Sequence, residues 1–100
     1  MAKGYWIAMV DVKNGDEYKK YAMGLQPILK KFGATYVARA GKTEAVEGKT
    51  KPRVVVIEFP SYQAAVDCYG DADYKKIIPL RKSNAEADLI ITEGYEGAQP

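Results

Sequence analysis

One hundred residues, 47% of them apolar and 28% charged, describe one ordinary globular domain with a modest core. The net charge of +2 comes from interspersed signs, which leaves no basic footprint for nucleic acid and no polybasic patch for a membrane surface. The longest apolar runs, Val54–Ile57 and Leu89–Ile91, are strand length and far short of the roughly 20 residues a bilayer span needs.

Tyr5–Val12 reads as a strand, with Tyr5, Ile7 and Met9 on one face and Trp6, Ala8, Val10 and Val12 on the other. Asn14-Gly-Asp16 then caps a helix whose inward positions are Tyr18, Tyr21, Ala22, Leu25, Ile28, Leu29 and Phe32. Pro27 removes a backbone donor inside that helix and predicts a bend or a division there, and Gly33 ends it. Ala34–Ala40 is the second strand, with a possible continuation through Thr43–Val46 past a bulge at Gly41. Gly48-Lys-Thr-Lys51 predicts a hairpin loop into the third strand, Arg53–Phe59, which Pro60 stops. Ser61 caps a short helix with Ala65, Val66, Cys68 and Tyr69 inward. Asp71 caps a further helical piece in which Tyr74, Ile77, Ile78 and Arg81 share a face. Ala87–Glu93 is the last strand. The domain is expected to span residues 1–94, with 95–100 as a flexible tail.

The order βαββαβ predicts an α+β fold, a ferredoxin-like sandwich with a four-stranded antiparallel sheet and its helices on one face. A monomer of that kind should keep the other sheet face polar. Instead Val54 and Val56 oppose Val55, Ile57 and Phe59, and Ile90 opposes Leu89 and Ile91. Both faces are apolar, so a second copy covering the open face is the economical expectation, giving a homodimer.

The stretches Lys3-Gly-Tyr-Trp-Ile-Ala, Phe32-Gly-Ala-Thr-Tyr, Arg39-Ala-Gly, Glu47-Gly, Arg53-Val-Val-Val-Ile-Glu-Phe-Pro-Ser61, Cys68-Tyr69, Asp73-Tyr74, Arg81 and Ala85-Glu-Ala-Asp-Leu carry a likeness over about residues 2–94. On them the chain resembles the uncharacterised DUF1330 family of the dimeric α/β-barrel superfamily. The resemblance implies two ferredoxin-like subunits pairing sheet to sheet as a dimeric α/β barrel, with helices outside. It brings no agreed activity. The superfamily includes cofactor-free monooxygenases, haem-handling enzymes, lactone isomerases and stress-induced proteins, and fold alone does not choose among them.

The chain has no histidine and one cysteine, Cys68. Histidine-ligated haem, His-based zinc and Ser-His-Asp chemistry are therefore excluded, and no metal site or cofactor is expected. The lone thiol cannot form an internal disulfide, so a reducing cytoplasm is the expected location, and with a strand expected from Tyr5 no signal peptide is expected. Cys68 falls near a helix C-terminus, where the dipole raises a thiol pKa, and reads as structural.

Two constellations carry candidate chemistry. Arg39 and Glu58 interrupt the apolar hairpin strands. On a shared face they would form either a charge pair that orients a ligand carboxylate or enolate through the arginine fork, or a structural salt bridge at the barrel mouth. Arg53, Tyr69, Tyr74 and Arg81 would gather between helices and sheet, where they suit a small planar acid or polyphenol and could polarise its oxygen. The plainer alternative makes the tyrosines core and the arginine stems surface cover. The third strand lacks the aromatic signature of RNA-recognition domains of the same βαββαβ order, so no nucleic-acid partner is expected. A small-molecule ligand remains the functional expectation, beside a non-catalytic dimeric module as its alternative.

Overall fold

The computed structural model describes residues 2–100. Its elements are β1 (Gly4–Val12), α1 (Gly15–Lys31), β2 (Thr35–Arg39), β3 (Arg53–Phe59), α2 (Tyr62–Tyr69), α3 (Ala72–Lys82) and β4 (Ala85–Glu93). The strands make one antiparallel sheet in the order β2-β3-β1-β4, the α+β ferredoxin-like arrangement expected from the element order.

Strand alternation sorts the residues as predicted. Trp6, Val10, Val55, Ile57 and Phe59 are buried beneath the helices together with Tyr18, Tyr21, Leu25, Ile28 and Leu29 of α1. Cross-strand partners lie on the same face, so Ile7, Val56 and Ile90, which face one another in register, belong to the opposite, open face. Ile90 is 52% exposed there.

The caps also follow the sequence. Asn14 accepts from the Glu17 amide, Ser61 from Ala64, and Asp71 from both Asp73 and Tyr74. Gly33 takes φ +70 immediately after α1, a conformation open to glycine at no Cβ cost. Gly4 has a different reason: a Cβ there would meet the backbone of Ser61 and Tyr62, so β1 and the start of α2 can approach only over a glycine.

Four expectations change. Of the bend or division expected at Pro27, the division does not occur, and α1 is one helix of 17 residues; proline removes a single donor, and the packed face on either side holds the turns together. β2 stops at Arg39 and does not resume through Thr43–Val46, and residues 40–52 hold no strand. The irregularity in the β2–β3 ladder falls between Tyr36 and Ala38 rather than at Gly41. β4 begins two residues early, at Ala85, because Ala85 still pairs with Val12 at the end of β1.

Asp71 joins α1 to α3 as well as capping the latter. Lys31 Nζ donates to its Oδ1 at 2.6 Å. That hydrogen bond, working against burial, holds the Asp71 carboxyl below its usual range, and the same bond raises the Lys31 ammonium. A carboxyl with a lowered folded pKa contributes stability above its unfolded value of 3.8 and loses it as pH falls through the folded one. The raised lysine contributes below 10.5 and loses its share as pH rises through its folded value. Asp71→Ala should lower the melting temperature at neutral pH by about 5 °C through lost cap and pair. The gap between variant and wild type should close as thermal melts are taken below the carboxylate range; a gap that persists at full size in acid would disprove this account.

Candidate functional site

The sequence holds three arginines, Arg39, Arg53 and Arg81, and the fold brings all three to the space between α1 and the sheet. Arg53 opens β3 opposite Val10. Arg81 lies in the last turn of α3. Arg39 arrives through the bulge: Tyr36 pairs with Ile57 and Ala38 with Val56, so Val37 is the extra residue and Arg39 falls opposite Val55, on the helix side. Ala40 follows at φ +53, a left-handed turn costing about 1 kcal/mol for a residue with a Cβ, and its amide is tied to the Val54 carbonyl at 2.9 Å.

Each guanidinium stacks on a tyrosine. Arg39 lies 4.5 Å from the Tyr36 ring centroid, Arg53 5.5 Å from Tyr18 and Arg81 5.7 Å from Tyr21. Such contacts help to hold the planar fork in place, and the Tyr74 and Tyr21 hydroxyls also interact with the Arg81 guanidinium. Among the described residues no carboxylate lies within ion-pair distance of any of the three. Arg81 is buried, 8% exposed, and its Nε has no hydrogen-bond partner; the Nε of half-buried Arg53 is in the same position. Unsatisfied buried donors on a charged group are costly and rare.

Two adjoining chambers receive these groups. The inner one, about 40 Å³, lies among Trp6, Tyr18, Tyr21, Leu25, Arg81 and Leu89, with Ala8 and Ala87 leaving room on the strands. The outer one, about 30 Å³, lies among Tyr18, Tyr21, Tyr36, Arg39, Arg53 and Val55. The Tyr21 and Tyr74 hydroxyls are 2.8 Å apart. Burial pushes the pKa of both phenols up, so they are neutral donors and the arginines supply the only charge in the chambers. Either hydroxyl of that pair can be the donor. Gln26 Nε2 donates to the Tyr36 hydroxyl at 2.7 Å and ties α1 to the β2 edge.

Arg39 and Glu58 do not meet, which corrects the pairing considered from sequence. Glu58 sits opposite Tyr5 on the open face, where Lys3 Nζ and the Tyr5 hydroxyl each donate to it at 3.1 Å. Those hydrogen bonds, Lys3's first, hold its carboxyl below the usual range. Arg53 and Arg81 line the chambers. Tyr69 and Tyr74 do not line them; they pack against Trp6 with centroids at 6.1 and 5.2 Å. Tyr74 therefore reaches the inner chamber through the Tyr21 hydroxyl and the Arg81 guanidinium. Tyr18, Tyr21 and Tyr36 were not singled out from sequence, although Tyr18 and Tyr21 share the inward face of α1. Cys68 is fully buried, and burial pushes its thiol up to about 12, so it is inert.

The larger hollows are shallower and less equipped. One of about 680 Å³, bordered by Ser61, Tyr62, Gln63, Glu93 and Gly94, holds no buried unpartnered group. Among the described residues no cluster of His, Cys, Asp or Glu could hold a metal ion, and no helix is long and apolar enough to cross a membrane.

Comparison with known proteins gives fold and family. The chain is similar over 99% of its length to 85% of a protein of unknown function from Rhodopseudomonas palustris, with a TM-score of 0.77 and 17% identity. It is similar over its full length to 97% of SnoaB, a cofactor-independent oxygenase from Streptomyces nogalater, with a TM-score of 0.68 and 7% identity. A protein of unknown function and possible oxidoreductase from Bacteroides thetaiotaomicron matches 92% of the chain over 97% of its own, with a TM-score of 0.57 and 14% identity. At these identities the likeness shows the fold alone, the ferredoxin-like α+β arrangement described above. No curated protein matches the chain. The family model for the domain of unknown function DUF1330 matches residues 3–95, and the chain belongs to that family.

Proposed function

We propose that the two chambers bind a small acidic or aromatic metabolite, with Arg81 as the inner anchor and Arg53 and Arg39 at the mouth. The observation that carries this reading is the buried, unpartnered Nε of Arg81 in a chamber without an acid. A carboxylate or enolate oxygen would satisfy that donor beside the Tyr21 hydroxyl. If turnover occurs, those two groups supply the electrostatic part of a cofactor-free oxygenation or isomerisation by holding an oxyanion as it develops. The oxygenase among the structural neighbours is in keeping with this chemistry.

A second reading, a non-catalytic dimeric module, draws support from the small volume of the chambers. A second copy over the open sheet face is part of both readings. Its support is the apolar row Ile7, Met9, Val54, Val56 and Ile90, which a lone subunit would leave in water.

A thermal-shift screen of small carboxylates against wild type and Arg81→Ala separates the two. At about 100 times Kd a bound ligand adds about 2.7 kcal/mol and raises Tm by on the order of 10 °C. That shift should vanish in Arg81→Ala. Equal shifts in both proteins would remove Arg81 from the site, and no shift with any acid would favour the module.

A further inference from the structure

Resting on the reading that these chambers bind a small anion, we propose that the ligand is a short aliphatic dicarboxylate held at both ends. One carboxylate sits at Arg81 in the inner chamber and the other at Arg53 and Arg39 in the outer.

The site is divided in a way that a single anion does not explain. Each chamber ends in a guanidinium whose Nε lacks a partner, Arg81 inside and Arg53 outside. The two chambers share Tyr18, Tyr21, Leu25 and Val55 as lining, so a ligand reaching both seats would lay its methylene groups against these largely apolar side chains. Volume chooses between the acidic and aromatic alternatives. A water molecule occupies roughly 10–15 Å³ of such a space, so chambers of about 40 and 30 Å³ each take a group of a few heavy atoms. A carboxylate of three heavy atoms fits that room more readily than a six-carbon ring does. Charge agrees in direction: the chambers carry three guanidinium cations, neutral phenols and no lining carboxylate, so a dianion neutralises two of the three cations where a monoanion neutralises one.

The outer seat also marks the chain. Arg39 and Arg53 bracket residues 40–52, a segment without helix or strand. A carboxylate bridging the two arginines would tie the ends of that segment together, and a ligand confined to Arg81 would not.

Titration calorimetry of the wild-type protein with succinate, butyrate and benzoate tests the inference directly. Succinate should bind at least about tenfold more tightly than butyrate, and benzoate more weakly than either. Arg53→Met should bring succinate down to the butyrate level and leave butyrate unchanged. Succinate, and not butyrate, should slow tryptic cleavage after Lys42 and Lys49. Equal affinities for succinate and butyrate, both lost in Arg81→Ala, would overturn the two-ended seat and leave the single-anion reading standing. Benzoate as the tightest of the three would overturn the aliphatic class. If none of the acids binds, the pocket reading falls together with this one. Should Arg53→Met fail to fold, the wild-type ligand series still decides.

Discussion

Trp6→Ala should cost about 3–5 kcal/mol, most of what a domain of this size has to spare. Trp6 stands in the middle of β1 and joins the sheet to two helices. Its ring lies 5.2 Å from Phe59 on β3, 5.2 Å from Tyr74 on α3 and 6.1 Å from Tyr69 on α2. Its Nε1 donates to the Ala65 carbonyl inside α2 at 2.9 Å. Truncation therefore opens a cavity, strips three aromatic partners and leaves a buried acceptor without its donor. Equilibrium urea unfolding at fixed protein concentration should show a midpoint lower by about 2 M. Trp6→Phe should recover a large part of the loss and retain the part due to the Nε1 bond, about 1 kcal/mol. A loss below about 1 kcal/mol in Trp6→Ala would mean that the aromatic cluster closes up around the gap, and the core described above would need revision.

Most of each strand, the facing of β1, β3 and β4, and all three helix caps were legible because each depends on local chemistry. Alternation alone put Trp6 and Ile7 on opposite faces of β1, and Ser61 and Asp71 announced their helices by residue type. The site was legible only in part, and Val37 is the reason. Strict alternation from Tyr36 puts Arg39 on the open face beside Glu58, the pairing expected from sequence. One extra residue in the ladder reverses that parity and turns Arg39 toward α1. A bulge at a valine, with no glycine to mark it, leaves no trace in composition or period. The tyrosines escaped notice for another reason. Tyr18 and Tyr21 at helical spacing look like ordinary core, and their pairing with Arg53 and Arg81 exists only once α1 lies across β3 and α3. Contacts between distant elements are what a periodicity cannot contain. Arg81 and Arg53 could be found because arginine on an inward face is anomalous by itself.

The same alternation leads to the second large effect, on association. Ile7 and Ile90 face each other across β1 and β4, Val56 lies beside Ile7 on β3, and Ile90 is 52% exposed in the lone subunit. If a second copy covers this face, as proposed above, a substitution at Ile90 enters the interface twice. An unpaired ammonium buried in such a seam costs several kcal/mol. Ile90→Lys should thus weaken dimerisation by at least about 100-fold. The monomer fold should survive, because Ile90 packs against no helix and a lysine stem can lie along the strand with its head in water. Sedimentation velocity at micromolar protein should give a dimer for wild type and a monomer for the variant, with unchanged far-ultraviolet circular dichroism in both. A wild-type monomer under those conditions would sink the covered-face proposal outright. A dimer untouched by Ile90→Lys would place the interface elsewhere on the molecule. The chambers lie on the other side of the sheet, so carboxylate binding to the monomeric variant has its own meaning. Binding that persists in Ile90→Lys would show that each subunit carries a complete site. Binding lost with dissociation would show that sheet pairing sets the geometry of Val55 and Arg53, whose neighbours on β3, Val54 and Val56, face the partner.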